Sequence, residues 1–276
     1  MSDHRSPHRA LAEDIASAIA ARRSIAPISQ RDRAFSMDEA YRTALALRAV
    51  RGERVIGRKI GFTNRSIWAK YGVDAPMWGD MTERSVHGIG QTDDPVPLSG
   101  FVEPKLEPEI ALKLRHVPAA GASDEELLAA VEWFAPAFEI VHSIFANWQF
   151  ALTDCVAMGA LHGALFLGEA VPAGDWARAL PDVGVVLSRG GSIVERGVGA
   201  NALDGPLSAL RHLVDGTEAL GDPLAAGDIV TTGTLTDAQD IRPGDTWTAT
   251  YEGAAFQPIT LRFAEGAPAP TGAVTT

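Results

Sequence analysis

Glu107 and Glu109 stand two residues apart at the head of the apolar run Ile110-Ala-Leu-Lys-Leu114, within the stretch Glu103-Pro-Lys-Leu-Glu107-Pro-Glu109. In an extended segment alternate side chains share a face, so Glu103, Lys105, Glu107 and Glu109 point one way and Leu106 the other. Like charges on one strand face repel, and an unpaired carboxylate in a core costs on the order of several kcal/mol. A cation between Glu107 and Glu109 answers both problems. The alternative is an edge strand with solvated glutamates, since Pro104 and Pro108 suit edges and strand starts. A further carboxylate, Glu139, interrupts the apolar run Phe134 to Phe145 and needs a partner for the same reason, which makes it the natural third ligand. Three carboxylates with no His/Cys cluster form a hard, all-oxygen set that suits magnesium, manganese or calcium better than zinc. Open coordination positions imply a chelating substrate. A 2-oxo acid, with a carboxylate beside a carbonyl, would close a five-membered ring and let the metal stabilise an enolate.

Such chemistry needs a group that moves protons. The chain has four lysines, Lys59, Lys70, Lys105 and Lys113, and Lys59 lies inside the strand-like segment Arg54-Val-Ile-Gly-Arg-Lys59-Ile-Gly-Phe-Thr63. A lysine between apolar neighbours either snorkels to the surface or is held at a site. Burial beside a cation is expected to lower its pKa toward neutrality. His142 and His162 fall next to the proposed metal segment, and functional and structural roles stand level for both. The other five histidines read as surface or structural, and Cys155 as a small buried hydrophobe. No Walker A motif, Rossmann glycine fingerprint or Gly-x-Ser-x-Gly elbow occurs. Arg58, Arg65 and Arg84 are nearby cations able to read a distal carboxylate, although such arginines are more often solvated.

The elements that must position these residues follow from periodicity and punctuation. Residues 9 to 24 have the spacing of an amphipathic helix, and Ser36 with Glu39 forms a capping-box pattern that opens a second. Arg54 to Thr63 predicts a strand, Asn64 to Tyr71 a helix, and Gly72 to Val86 a Pro/Gly-punctuated loop. After the Glu103–Leu114 strand, Ser123 and Glu126 cap a helix that carries Leu127, Leu128, Ala130, Val131 and Trp133. Trp148 to Gly168 predicts a turn feeding a strand through Leu165 and Leu167. Gly184–Ser188 and Ser192–Gly197 form a hairpin, Pro206 to Val214 a helix, and the last third is β-rich. The domains expected are an N-terminal helical region, 1–52, a β-rich catalytic domain, 53–265, and a disordered tail, 266–276.

The 276 residues suffice for one large domain or a main domain with a smaller N-terminal one. A formal charge of −11 argues against a nucleic-acid partner, while still allowing a small anion drawn in by a local cation. One cysteine rules out an intramolecular disulfide and suits a reducing cytoplasm. No apolar run approaches the roughly 18 residues of a membrane span, and no leader pattern opens the chain, so a soluble cytoplasmic protein is expected.

Taken in order, Lys59-Ile-Gly-Phe-Thr63, Glu107-x-Glu109, Pro136-Ala-Phe-Glu139-Ile-Val, the Asp154 segment and Gly227-Asp-Ile-Val-Thr-Thr-Gly233 resemble a known set. They are similar to the 2-hydroxypentadienoate (2-keto-4-pentenoate) hydratases and 4-oxalocrotonate decarboxylases of the fumarylacetoacetate hydrolase superfamily. The resemblance spans roughly residues 10 to 265. It implies an α+β fold, a mixed β-roll core with an N-terminal helical layer. It also implies homo-oligomeric assembly and a magnesium or manganese ion on Glu107, Glu109 and Glu139. Lys59 is then the proton-transfer residue and Asp80 lines the site. The implied reactions, in aromatic catabolism, are hydration of a 2-hydroxy-2,4-dienoate to a 4-hydroxy-2-oxo acid, or decarboxylation of a 2-oxo-3-enedioate. Hydrolysis of a carbon–carbon bond in an acylpyruvate is a third option, and a catalytically weak partner subunit or 2-oxo acid binder a fourth. Association with a pathway partner enzyme is a further expectation. One segment departs from the pattern: the hydratases carry Asp-Asn-Ala-Ser-x-Gly where this chain has Met158-Gly-Ala-Leu-His162-Gly163. Either His162, with His142, supplies the missing polar function or the reaction differs.

Overall fold

The structure, a computed structural model, describes residues 6–90 and 94–265. The tail expected at 266–276 lies outside the described residues. Three helices come first, α1 (Pro7–Ala20), α2 (Ile28–Arg31) and α3 (Met37–Arg51). The capping box opens α3 as expected: Ser36 Oγ accepts the Glu39 N–H while the Glu39 carboxylate accepts the Ser36 N–H. The chain continues through β1 (Val55–Gly61), the one-turn α4 (Trp68–Tyr71), β2 (Met77–Thr82), β3 (Val86–Gly88) and β4 (Lys105–Leu114). Helix α5 (Asp124–Ala130) runs directly into β5 (Val131–Val141), and α6 (Leu152–Ala157) leads to β6 (His162–Leu167) and the short β7 (Val171–Pro172). The hairpin β8 (Gly184–Arg189) and β9 (Ser192–Val198) precedes α7 (Pro206–Leu220), and β10 (Ile229–Thr231), β11 (Gln239–Asp240), β12 (Thr246–Glu252) and β13 (Ile259–Arg262) complete the chain.

The main sheet runs β2-β1-β10-β4-β5-β6-β3, with β11 added to β4 and β7 to β5. It is mixed: β1 with β10 and β3 with β6 are parallel, and the other pairs antiparallel. The sheet curls until β2 meets the turn before β6. There a Cβ on Gly79 would stand 2.4 Å from the Gly159 carbonyl oxygen, so only glycine allows the closure. A second sheet, β13-β12-β8-β9, covers the convex face. The two share one core, in which Ile60, Ile110, Leu112, Phe134 and Phe138 join Val185, Leu187, Trp247 and Leu213. This is the mixed β-roll core expected.

Within the span read as a turn from Trp148, residues 152–157 form the helix α6, and two further expectations give way to strand pairing. Residues 77–82, read as part of the Pro/Gly-punctuated loop Gly72 to Val86, form β2, paired along β1 from Gly61↔Met77 to Val55↔Thr82. The helix capped by Ser123 stops at Ala130, and Val131 and Trp133 belong to β5. In both places strand pairing overrides what local composition suggests.

The N-terminal helices pack with α6 on the open end of the roll, where Ile15, Tyr41 and Leu47 share a cluster with Met77, Val141, Phe145 and Val156. Their polar tie is Asp154, fully buried, which accepts hydrogen bonds from Ser29 N–H (2.9 Å), Ser29 Oγ (2.6 Å) and Ala151 N–H (2.7 Å). Replacing Asp154 with alanine leaves those donors unpaired and should lower unfolding free energy by about 2–4 kcal/mol in urea titrations. Ser29→Ala should cost about 1 kcal/mol. A loss below about 0.5 kcal/mol in Asp154→Ala would mean that this hydrogen-bonded tie does not hold the layer.

Candidate metal and catalytic site

Antiparallel pairing of β4 with β5 sets Glu107 opposite Glu139 and Glu109 opposite Ala137. The alternation that sends Ile110, Leu112, Phe134 and Phe138 to the core therefore turns all three glutamates to the concave face. One carboxylate oxygen from each lies within 4.8 Å of the others. Glu109 and Glu139 are fully buried, while Glu107 keeps some exposure to the cavity. The edge-strand alternative fails, because β4 lies inside the sheet between β10 and β5.

Each buried carboxylate has one oxygen anchored. Glu109 Oε2 accepts the Thr231 hydroxyl and the Gly233 N–H (2.9 Å), while its Oε1 is buried with no hydrogen-bond partner. Gly233 has φ +102°, and a Cβ there would strike Thr63 Oγ1 at 1.8 Å, so glycine is required for its N–H to reach the carboxylate. Glu139 Oε1 meets His162 Nδ1 at 2.7 Å, and Oε2 lies 3.2 Å from Lys59 Nζ. Behind this, Tyr251 donates its hydroxyl to the Glu109 carbonyl at 2.8 Å, tying the second sheet to β4 at the site.

Burial and repulsion by the neighbouring carboxylates push the Glu107 and Glu109 carboxyls up to about 8, and burial raises Glu139 as well. With three carboxylates ionised and Lys59 charged the cluster carries a formal −2, which one divalent cation cancels. An orphaned buried oxygen, three oxygen donors and that charge all fit a hard divalent ion such as magnesium or manganese.

Lys59 is buried on β1 opposite Gly79. Gly61 leaves it room, since a Cβ there would lie 3.4 Å from Nζ. Burial disfavours the ammonium, yet Glu139, Glu107 and Glu109 outweigh it and hold the pKa above the ordinary lysine value. This is opposite in direction to the lowering expected from sequence, because the carboxylates' field dominates around Lys59.

The other candidates divide. His162 stands behind the carboxylates, between Glu139 and Ser85 Oγ (2.9 Å from Nε2). Burial holds its pKa near 3, so the ring is neutral; Nδ1–H donates to Glu139 and Nε2 accepts the Ser85 hydroxyl. His142 is buried at the end of β5, where its Nδ1 accepts the Val102 N–H at 3.4 Å and its ring meets Phe101 edge-on. The structure does not bring it to the carboxylates. Asp80 is also displaced: its partner in β1 is Arg58, on the face opposite Lys59. There it receives Arg48 Nε and Nη2 (2.5 and 2.8 Å) and Arg58 Nε (3.2 Å), while Asp222 completes the cluster through the same two arginines. Asp80 is a structural ion-pair partner in this arrangement, and strand alternation is the reason.

Between the carboxylates and solvent lies a pocket lined by Lys59, Phe62, Ile67, Met77, Glu107, Val141, Trp148, Leu161, Thr234 and Asp237. The apolar lining, Ser85 and the Thr231–Gly233 cradle escaped sequence reasoning. Gly227–Gly233 drew notice only as a matching motif, and nothing in its spacing announced a contact with Glu109.

The titrations give a testable window. Folded Glu107 and Glu109 keep protons up to about pH 8 that ordinary carboxyls release near 4.5, so the folded state binds more protons and stability falls as pH rises. His142 and His162, lowered to about 4 and 3, act in the opposite sense, but their contribution is complete above their ordinary 6.5. From about pH 6.5 to 8 the carboxyls alone set the slope. The metal-free protein should lose thermal stability across that range, and saturating magnesium should abolish the loss. A flat metal-free profile would contradict the crowded-carboxylate reading.

Comparison with known proteins agrees with this geometry. Residues 79–260 match the family described as Fumarylacetoacetate (FAA) hydrolase C-terminal. The chain is 34% identical over 242 residues to a 2-keto-4-pentenoate hydratase of Paraburkholderia xenovorans (strain LB400), covering 85% of this chain and 87% of the relative. It is 35% identical over 210 residues to a 4-oxalocrotonate decarboxylase of Pseudomonas sp, covering 75% and 78%. The solved 4-oxalocrotonate decarboxylase from Pseudomonas putida G7, complexed with magnesium and adipate, superposes with a TM-score of 0.85 at 27% identity, over 93% of this chain and 97% of that one. By sequence and fold, the chain belongs to the fumarylacetoacetate hydrolase family.

Proposed function

We propose that this protein is a divalent-metal-dependent lyase that hydrates a 2-hydroxy-2,4-dienoate to a 4-hydroxy-2-oxo acid. The observation that carries the reading is Lys59 Nζ at 3.2 Å from Glu139 of the Glu107–Glu109–Glu139 cluster, with Lys59 and Glu107 lining one pocket. The names of the hydratase and decarboxylase relatives support the reaction class.

Glu107, Glu109 and Glu139 would hold the ion. Bound there, a magnesium or manganese ion supplies positive charge that draws the substrate's carboxylate and adjacent oxygen and stabilises enolate charge. Hydration adds a proton to the terminal carbon of the diene and hydroxyl to its neighbour, while the enol proton passes to the carbon between. Lys59 holds the proton for the terminal carbon at Nζ, the one ammonium among the described pocket-lining residues. His162, braced by Ser85, fixes the Glu139 carboxylate and acts through it as a positioning residue. Decarboxylation of a 2-oxo-3-enedioate is the second reading, favoured by the fold likeness to the magnesium-complexed decarboxylase, and carbon dioxide release separates the two. We place the enzyme in the cytoplasm as a homo-oligomer, acting on small anions supplied by a neighbouring catabolic step. Among the described residues no helix is long and apolar enough to cross a membrane.

Turnover is followed as loss of dienol absorbance. EDTA should abolish it and magnesium restore it, and Lys59→Ala should lower kcat at least about 100-fold while still binding manganese. His162→Ala should weaken manganese binding about 10- to 100-fold, with partial recovery in His162→Gln. Metal-independent turnover, or full activity in Lys59→Ala, would refute the mechanism.

A further inference from the structure

Three of the largest apolar side chains lining the pocket, Phe62, Trp148 and Leu161, stand on left-handed backbone, with φ of 55°, 55° and 63°. Only nine non-glycine residues among those described have positive φ, and bulky residues adopt it at a cost of roughly 1–2 kcal/mol each. Three come from separate segments, after β1, after β5 and before β6, and converge on one cavity. Each is also held. Leu161 follows Gly159 and Ala160 in an unbroken left-handed turn and gives its carbonyl to the His142 N–H at 2.9 Å. Trp148 donates Nε1–H to the Glu103 carbonyl at 3.0 Å, and the Phe62 carbonyl accepts Trp68 Nε1–H at 2.8 Å. Met77, Val141 and Ile67 complete an apolar wall beyond Lys59.

The charges around this wall are unsuited to a second carboxylate. Apart from Lys59 and Glu107, the charged residue among the described lining is Asp237, exposed at the mouth. Lys105, on the same strand face as Glu107, is bound to Asp240 at 2.5 Å with its ammonium over the Trp148 ring. Arg58 is engaged by Asp80 and Asp222, and Arg65 by Asp204 at 2.8 Å. A dianionic substrate would bring its far carboxylate to apolar side chains and an uncompensated aspartate.

We infer that the substrate is a monocarboxylate whose far end bears an uncharged apolar substituent, and that Leu161, with Phe62 and Trp148, is a specificity-determining residue. This rests on the proposed lyase reading and sharpens it, because the decarboxylase reaction requires a diacid.

The test has a kinetic and a binding arm. Magnesium-loaded enzyme is assayed with 2-hydroxyhexa-2,4-dienoate and with 2-hydroxyhepta-2,4-diene-1,7-dioate, and titrated calorimetrically with 2-oxohexanoate and 2-oxohexanedioate. The monoacid should win by at least tenfold in kcat/KM and in Kd. Leu161→Arg should shift both ratios toward the diacid by at least tenfold. Leu161→Gly, which removes the wall at a left-handed position that glycine adopts freely, should narrow the preference. Equal or better handling of the diacid, or ratios unmoved in both variants, would overturn the inference. Preferential binding of the monoacid without turnover of either dienoate would instead overturn the lyase reading, and no binding of either oxo acid would overturn both.

Discussion

The structure depends on a repulsion. Glu107, Glu109 and Glu139 are brought together on the inner face of a curled sheet, two of them fully buried, with Lys59 as the nearby cation. Like charges at that separation in a weakly polarisable interior raise one another's pKa and work against folding. The surrounding elements counter this: the Thr231 hydroxyl and Gly233 N–H hold one oxygen of Glu109, His162 holds one of Glu139, and Tyr251 pins the strand from behind. What they leave open, above all Glu109 Oε1, is the coordination a hard cation supplies. Stability and the proposed function therefore meet in one device, a site crowded with like charge that a bound divalent ion would relax.

The same division appears in the backbone. Glycines at 57, 79 and 233 permit approaches that a Cβ would forbid, and these let β1, β2 and the loop after β10 close around the carboxylates. Left-handed conformations at Phe62, Trp148 and Leu161 aim large apolar side chains into the cavity. The rigid polar network lies beneath the ion site, while the conformational strain lies where a substrate's variable end would sit.

Much of the candidate site's make-up was legible in the chain. A carboxylate in an apolar run is conspicuous because burial demands a partner, so Glu107, Glu109, Glu139 and Lys59 stood out without any knowledge of the fold. Fold class followed from the ordered motifs. What the chain did not reveal shares one cause. Whether Asp80 or His142 reaches the site depends on strand register and on which face the roll closes, and neither property is local. Asp80, one residue beyond the glycine facing Lys59, turns to the opposite side and joins Arg48 and Arg58. The apolar pocket wall was invisible for the same reason, since Phe62, Trp148 and Leu161 are far apart in sequence and their left-handed backbone carries no residue signature. The segment Met158–Gly163 resolves into parts: Met158 packs into the helical layer, Leu161 faces the pocket, and His162 braces Glu139.

The central claim is that these three glutamates form a cation site. Anomalous difference diffraction from a manganese-soaked crystal tests it most directly. The account predicts one strong peak per chain bonded to oxygens of Glu107, Glu109 and Glu139, and none in a Glu109→Gln crystal soaked alike. Carboxylates without a peak in the fully soaked wild-type crystal, or manganese bound elsewhere, would contradict it.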